Sequence, residues 1–212
     1  MTASLRRARS RTKPDSPVAF HAPLFRDLAA RLDASERHVV VDLGAASTAM
    51  LALLGRSRCR AEILDLAHFG GIDRLNNAEP GPAVVDAAES VLPGLRPDDP
   101  VDLVFCWDIP NYLTLNALSA LMDAIGRRAR PGALAHALIF YAERDMNERP
   151  GRYVPNADDE LVEHSAMSTT IAAPRFSPED LNRSMGGFVI DRARLLSNGM
   201  QEFLFRLGAN RA

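Results

Sequence analysis

The chain contains a single lysine, Lys13, against 24 arginines, and a single tryptophan, Trp107. We read the arginine skew as genome composition and give it no functional weight. Only two cysteines occur, Cys59 and Cys106, far apart in apolar segments. That pattern excludes a disulfide framework and predicts buried free thiols in a reducing cytoplasm. The five histidines are scattered without the spacing of a zinc site, so no metal is expected. No apolar run approaches spanning length, which excludes a transmembrane helix and predicts no membrane partner. Pro14-Asp15-Ser16-Pro17 stands where the apolar stretch of a secretory signal would follow the first basic residues. The expected location is cytoplasmic.

What remains is ordinary globular material. The 212 residues are 47% hydrophobic and 25% charged, with net charge −2, which fits one domain with a sizeable core. Arg6, Arg7, Arg9, Arg11 and Lys13 crowd the first thirteen residues, while the rest is mildly acidic. A basic stretch without aromatics is read as a solvated tail over 1–20, followed by the domain over 21–212.

The domain is organised around His38-Val39-Val40-Val41-Asp42-Leu43-Gly44-Ala45-Ala46-Ser47-Thr48. Its apolar run predicts a strand buried on both faces, and its small residues a tight turn before a helix. Strand, turn and helix in this order form the ligand cradle of doubly wound α/β proteins. Asp42, at the strand's carboxyl end among apolar neighbours, needs a donor there, either a ligand ammonium or the local amides. A second strand, Ala61–Leu66, brings Asp65 to its tip. An acid about 20 residues past the turn, on the neighbouring strand, is placed to accept hydrogen bonds from ribose hydroxyls.

Other elements follow from local signals. Leu24, Phe25, Leu28 and Leu32 share one helical face ahead of the central strand. Residues 67 to 81 have room for a short helix near Ile72–Asn77. Ala83-Val84-Val85-Asp86 reads as a brief third strand. Val101–Trp107 is a fourth strand, and Asp108, Asn111 and Tyr112 collect just past its carboxyl end. Leu115 to Ile125 is a helix, with Arg127, Arg128 and Arg130 at its negative end. Pro131-Gly132 then turns the chain into a buried strand, Ala133–Tyr141. Residues 143–176 read as an irregular lid or binding loop. Ser177-Pro178-Glu179-Asp180 opens a helix. Ser197-Asn198-Gly199 joins two strands, Phe188–Leu196 and Met200–Leu207, into a terminal hairpin.

Asp42-Leu43-Gly44, the Asp102-Leu103-Val104 strand with its following loop, the Arg130-Pro131-Gly132 turn into a strand and the terminal hairpin together resemble class I S-adenosylmethionine-dependent methyltransferases, over roughly residues 36 to 208. That family's first motif is Asp/Glu-x-Gly-x-Gly-x-Gly, and here Ala46 and Thr48 stand at its second and third glycines. The resemblance implies a doubly wound, seven-stranded sheet, mostly parallel, with a C-terminal antiparallel β-hairpin. It implies S-adenosyl-L-methionine as cofactor, with Asp42, Gly44, Ala45 and Ala46 near the methionine part, Asp65 on ribose and Asp86 near adenine. Trp107 either flanks the adenine or fills the core. Asn111, Tyr112, Arg152 and Tyr153 are the implied acceptor contacts, and Asp108 or His164 the implied base. Each loop acid or amide has the competing role of capping its own turn.

The expected activity is methyl transfer to a small-molecule acceptor. One alternative keeps the fold but uses it for protein contacts, cofactor binding being weakened at Ala46 and Thr48. A nucleic-acid substrate is disfavoured by the acidic body. Asp108-Ile109-Pro110-Asn111 only faintly echoes the motif of nucleobase amino methylation, and one lysine excludes the lysine-rich set of RNA ribose methyltransferases.

Overall fold

The computed structural model describes residues 17–32, 35–96, 98–142, 144–156, 160–164 and 169–209. The basic residues of the first thirteen, and Asp158 and Asp159 of the loop, lie outside the described residues. At the centre is a six-stranded sheet in the order β10-β11-β5-β4-β2-β3. Its strands are β2 (Arg37–Asp42), β3 (Arg58–Ile63), β4 (Val101–Trp107), β5 (Ala129–Phe140), β10 (Phe188–Leu195) and β11 (Met200–Leu207). β3, β2, β4 and β5 pair in parallel, and β11 runs antiparallel to both β5 and β10. The hairpin expected at the C-terminus is present, turning at Gly199 with φ +84°.

Period-two alternation sends the side chains of these strands to two cores. Val39, Val41, Val104 and Cys106 pack under α3 (Gly71–Asn76), α4 (Pro82–Ser90), α5 (Leu115–Gly126) and α6 (Pro178–Ser184). Val40, Leu103, Phe105 and Trp107 pack under α1 (Pro23–Ala29) and α2 (Thr48–Leu54). Both faces of β2, β4 and β5 are therefore covered. Their near-continuous apolar runs reflect this.

Three expectations are corrected. Ala83-Val84-Val85-Asp86 is not a strand but lies in α4, because Pro82 occupies the first turn and Val84, Ala87 and Ala88 bury one helical stripe. The central sheet thus has six strands rather than seven. The lid region is also more regular than expected. It forms β6 (Asp145–Asn147), β7 (Arg152–Pro155), β8 (Glu160–His164) and β9 (Thr170–Ala172), in which β6 pairs β9 and β7 pairs β8. Finally, β1 (Val18–His21) pairs antiparallel with β8, so residues 18–20, read as tail, complete a three-stranded sheet β1-β8-β7. Cys59 is half-buried, Cys106 is buried, and both are free thiols. Among the described residues no helix is long and apolar enough to cross a membrane, and no group of metal-ligating side chains is found.

Candidate functional site

From β2 the chain passes to β3 on one side and later to β4 on the other, so the topological switch point lies between β2 and β4. In open α/β sheets ligands bind in the crevice outside the carboxyl ends of the strands at that point. Asp42 closes β2 there and Trp107 closes β4. Two non-glycine residues in the described chain have left-handed backbone, Asp65 (φ +39°) and Trp107 (φ +51°), and both stand at this end of the sheet. Each such residue costs on the order of 1 kcal/mol and persists where its surroundings hold it.

At Trp107 the holding interactions are visible. The β4–β5 register shifts between Phe105 and Trp107, a bulge that re-aims the end of the strand. The indole Nε1–H donates to Asp42 Oδ1 at 2.6 Å, which also accepts the Gly44 N–H at 2.9 Å. The ring stacks with Phe105 (centroids 5.5 Å apart, 18° between planes) and with Tyr153 (5.8 Å, 11°). Its edge lies so close to the turn that a Cβ on Gly44 would stand 2.6 Å from Trp107 Cδ1. Glycine at 44 is thus dictated by the indole. Trp107 is 3% exposed.

The turn itself departs from its expected geometry in a simple way. None of residues 44 to 48 adopts left-handed backbone, so Ala46 and Thr48 carry no conformational penalty for replacing glycine. Thr48 opens α2, and Ser47 caps it by accepting the Met50 N–H at 3.1 Å. Ala45 is half-buried and Ala46 exposed.

Asp42 is 1% exposed, and burial raises its carboxyl to about 6 against the donors Gly44 and Trp107, with the nearby Asp65 charge adding to the rise. Its Oδ2 has no partner among the described residues. Asp65 is half-buried just beyond β3 and accepts the His68 N–H at 3.2 Å, leaving it at the crevice rim.

Asp108 follows Trp107 and is wholly enclosed. It accepts the Gly151 N–H at 2.9 Å and the Tyr153 O–H at 3.1 Å, while Oδ1 has no partner among the described residues. Burial, with the Glu163 charge adding to it, lifts its carboxyl to about 7 despite those two donors. The Tyr153 phenol is pushed well above its ordinary range by burial and by Asp108, which keeps it a proton donor. Asp42, Trp107, Tyr153 and Asp108 thus form one connected group at the switch point.

Several residues singled out from the sequence are elsewhere or differently engaged. Asp86 is exposed on α4, because its segment is helical, and does not stand at a strand end. Asn111 is buried as a structural tie: its amide donates to the carbonyls of Asp108 and Leu138, both at 2.8 Å, and accepts the Phe140 N–H at 3.0 Å. Both of its amide hydrogens are thereby committed to the backbone. The Tyr112 hydroxyl lies 3.0 Å from the carbonyls of Asn147 and Arg149 and so pins the segment before β7. Arg152 and His164 are register partners, next to the inward pair Tyr153 and Glu163. By strand alternation they occupy the opposite face. His164 therefore faces away from Asp108 and is not placed as its companion base.

Two functional-looking residues escaped the sequence reading. Glu202 of β11 and His136 of β5 are both fully buried, with His136 Nε2 2.9 Å from Glu202 Oε1. Glu202 also accepts the N–H groups of Leu24 (3.0 Å) and Phe25 (2.7 Å), the first turn of α1. His136 within the apolar run Ala133–Phe140 was the available signal, whereas Glu202 stands beside Gln201 and is not singled out by its strand. Their partnership depends on sheet pairing that no local pattern reveals.

The S-adenosylmethionine implied by the sequence motifs meets a divided site. The acids at 42 and 65, and the unpartnered Asp42 oxygen, suit a cationic ligand with a ribose. The space against Gly44 does not suit the methionine part in this conformation, because the indole fills it.

No family model matches this chain, and no curated protein does. Among solved structures it is similar to 1,6-didemethyltoxoflavin-N1-methyltransferase of Burkholderia thailandensis, solved with bound 1,6-didemethyltoxoflavin and S-adenosylhomocysteine: identity is 16%, over 86% of this chain and 77% of that one, with TM-score 0.47. It is also similar to an S-adenosylmethionine-dependent methyltransferase of Clostridium acetobutylicum (13% identity, 88% and 89% covered, TM-score 0.49). CalS10, an amino pentose methyltransferase of Micromonospora echinaspora, is a third (18% identity, 85% and 89% covered, TM-score 0.45). The parallel strands flanking the β2–β4 switch point, with β11 of the terminal hairpin inserted antiparallel, give this chain a doubly wound α/β fold with six strands in its main sheet.

Proposed function

We propose that this protein is an S-adenosylmethionine-dependent methyltransferase acting on a small-molecule acceptor. The observation that carries the reading is the pair of acids at the tips of adjacent strands, Asp42 with a buried, unpartnered oxygen and Asp65 at the rim, on either side of a small-residue turn. An acid that lacks a cationic partner in a dry crevice is suited to a positively charged ligand. Asp65 is the ribose contact and Asp42 the contact for the charged end. Asp108 is the group that takes a proton from the acceptor, since its carboxyl is raised to about 7, the range in which a general base works near neutral pH. Tyr153 orients it through its hydroxyl.

Calorimetric titration with S-adenosylmethionine and with S-adenosylhomocysteine, repeated on Asp65→Ala, tests this reading. Micromolar binding that the substitution abolishes is the expected result. Failure of well-folded protein to bind either molecule would remove the proposal and favour a fold retained for protein contacts, with the filled turn as its physical basis.

A further inference from the structure

We infer that Trp107 is a gate on the cofactor crevice, held shut by Tyr153, and that it must leave Gly44 before the cofactor's methionine part can seat; this rests on the methyltransferase reading above. Three observations converge on the indole. Its edge occupies the surface of the turn, close enough that even a Cβ on Gly44 would collide with it. Its N–H takes one oxygen of Asp42, the acid placed for the ligand's charged end, and leaves the other oxygen without a partner. Its backbone is left-handed after a bulge, a conformation that a bulky residue adopts only while its surroundings hold it.

The latch is Tyr153. It comes from β7, a strand outside the central sheet, and its ring stacks on the indole. Its hydroxyl is tied to Asp108, the residue next to Trp107 in the chain, and the Gly151 N–H beside it binds the same carboxylate. The tip of β4 and the start of β7 are therefore clasped to each other at two points. Phe20 of β1 braces Tyr153 edge-on, so the whole β1-β8-β7 sheet backs the latch. Moving that sheet outward would free one face of the indole without breaking any pairing of the six central strands.

Because Trp107 is the chain's one tryptophan, its emission reports the gate directly. Wild-type protein is titrated with S-adenosylhomocysteine while intrinsic fluorescence is read, and affinity is measured calorimetrically for wild type, Trp107→Ala and Tyr153→Ala. We expect wild-type emission to shift to the red on saturation and Trp107→Ala to bind at least tenfold tighter. Tyr153→Ala, which keeps the indole, should emit further to the red before any ligand is added and also bind tighter. It serves as the test if removal of the indole prevents folding. Saturable wild-type binding with unchanged emission and no gain in either variant overturns the gate and leaves the methyltransferase reading standing. Absence of binding in all three folded proteins removes both.

Discussion

Because it is buried, with the Glu163 charge close by, Asp108 holds its proton more tightly in the folded protein than in the unfolded chain, despite its two donors, a backbone amide and a tyrosine hydroxyl. The carboxyl moves from 3.8 to about 7, and each unit of such a rise corresponds to about 1.4 kcal/mol. Between those values the folded state binds protons that the unfolded state does not, so stability falls as pH rises from about 4 to about 7. Asp42, raised to about 6, acts in the same direction over the lower part of that window. Asp108→Asn should therefore flatten the decline and leave the protein more stable than wild type at pH 8. Urea denaturation at half-unit steps from pH 4.5 to 8 measures it, and parallel curves for the two proteins would refute the assignment. Asn111 argues the other way: it already satisfies three backbone groups, so Asn111→Ala should cost about 2 to 3 kcal/mol by leaving them unpaired. A loss in stability under about 0.5 kcal/mol in the same assay would show that water replaces the amide. That Asp42, Asp65 and Asp108 stand at or just beyond strand ends was legible in the sequence, because an acid at the end of an apolar strand has one place to go. Asn111 and His164 were not, since a loop amide reads alike as ligand or tie, and the face of a strand in a small sheet depends on its partner.

At the scale of elements, local signals predicted what local physics decides. Ser177 with Asp180 forms a reciprocal capping box, and Asn198-Gly199 turns the hairpin. Arg128 returns to the carbonyl of Ala124 at the end of α5, as a basic group at a helix C-terminus should, but also pairs with Glu89 of α4, which no local pattern showed. The misread segment, Ala83–Asp86, is apolar at both periods, and Pro82 was the cue that it begins a helix. Helix α1 shows a deeper limit. Ala22 offers it no capping side chain, and the acceptor comes from Glu202 of β11, far along the chain. Glu202→Ala would leave two helix N–H groups and His136 unpaired in a dry interior, and should cost about 3 to 5 kcal/mol, the range found when one member of a buried pair is removed. Glu202→Gln retains one acceptor and should cost less. Equal stability of all three proteins in guanidinium unfolding would contradict the capping role.

Across the whole molecule, the design is a doubly covered sheet with small antiparallel sheets set against its ligand end. β2, β4 and β5 are buried along nearly their full length beyond the first residues, whereas β9 is exposed throughout and β8 alternates between buried and half-buried. The pairing of β1 with β8 joins residues far apart in the chain, so it closes a long loop for the sake of four register pairs. Elements with few buried contacts and long closures open before the core does. Amides of β4 and β2 should then exchange with solvent only through global unfolding. Those of β6 and β9 should exchange at least about a hundredfold faster, and those of β7 and β8 at an intermediate rate, corresponding to opening free energies several kcal/mol below the global value. Hydrogen exchange followed by mass spectrometry resolves these segments. Uniform protection of β4 and β7 would mean that the small sheet is part of one cooperative unit, and a tyrosine on β7 could then release the indole only by unfolding the protein.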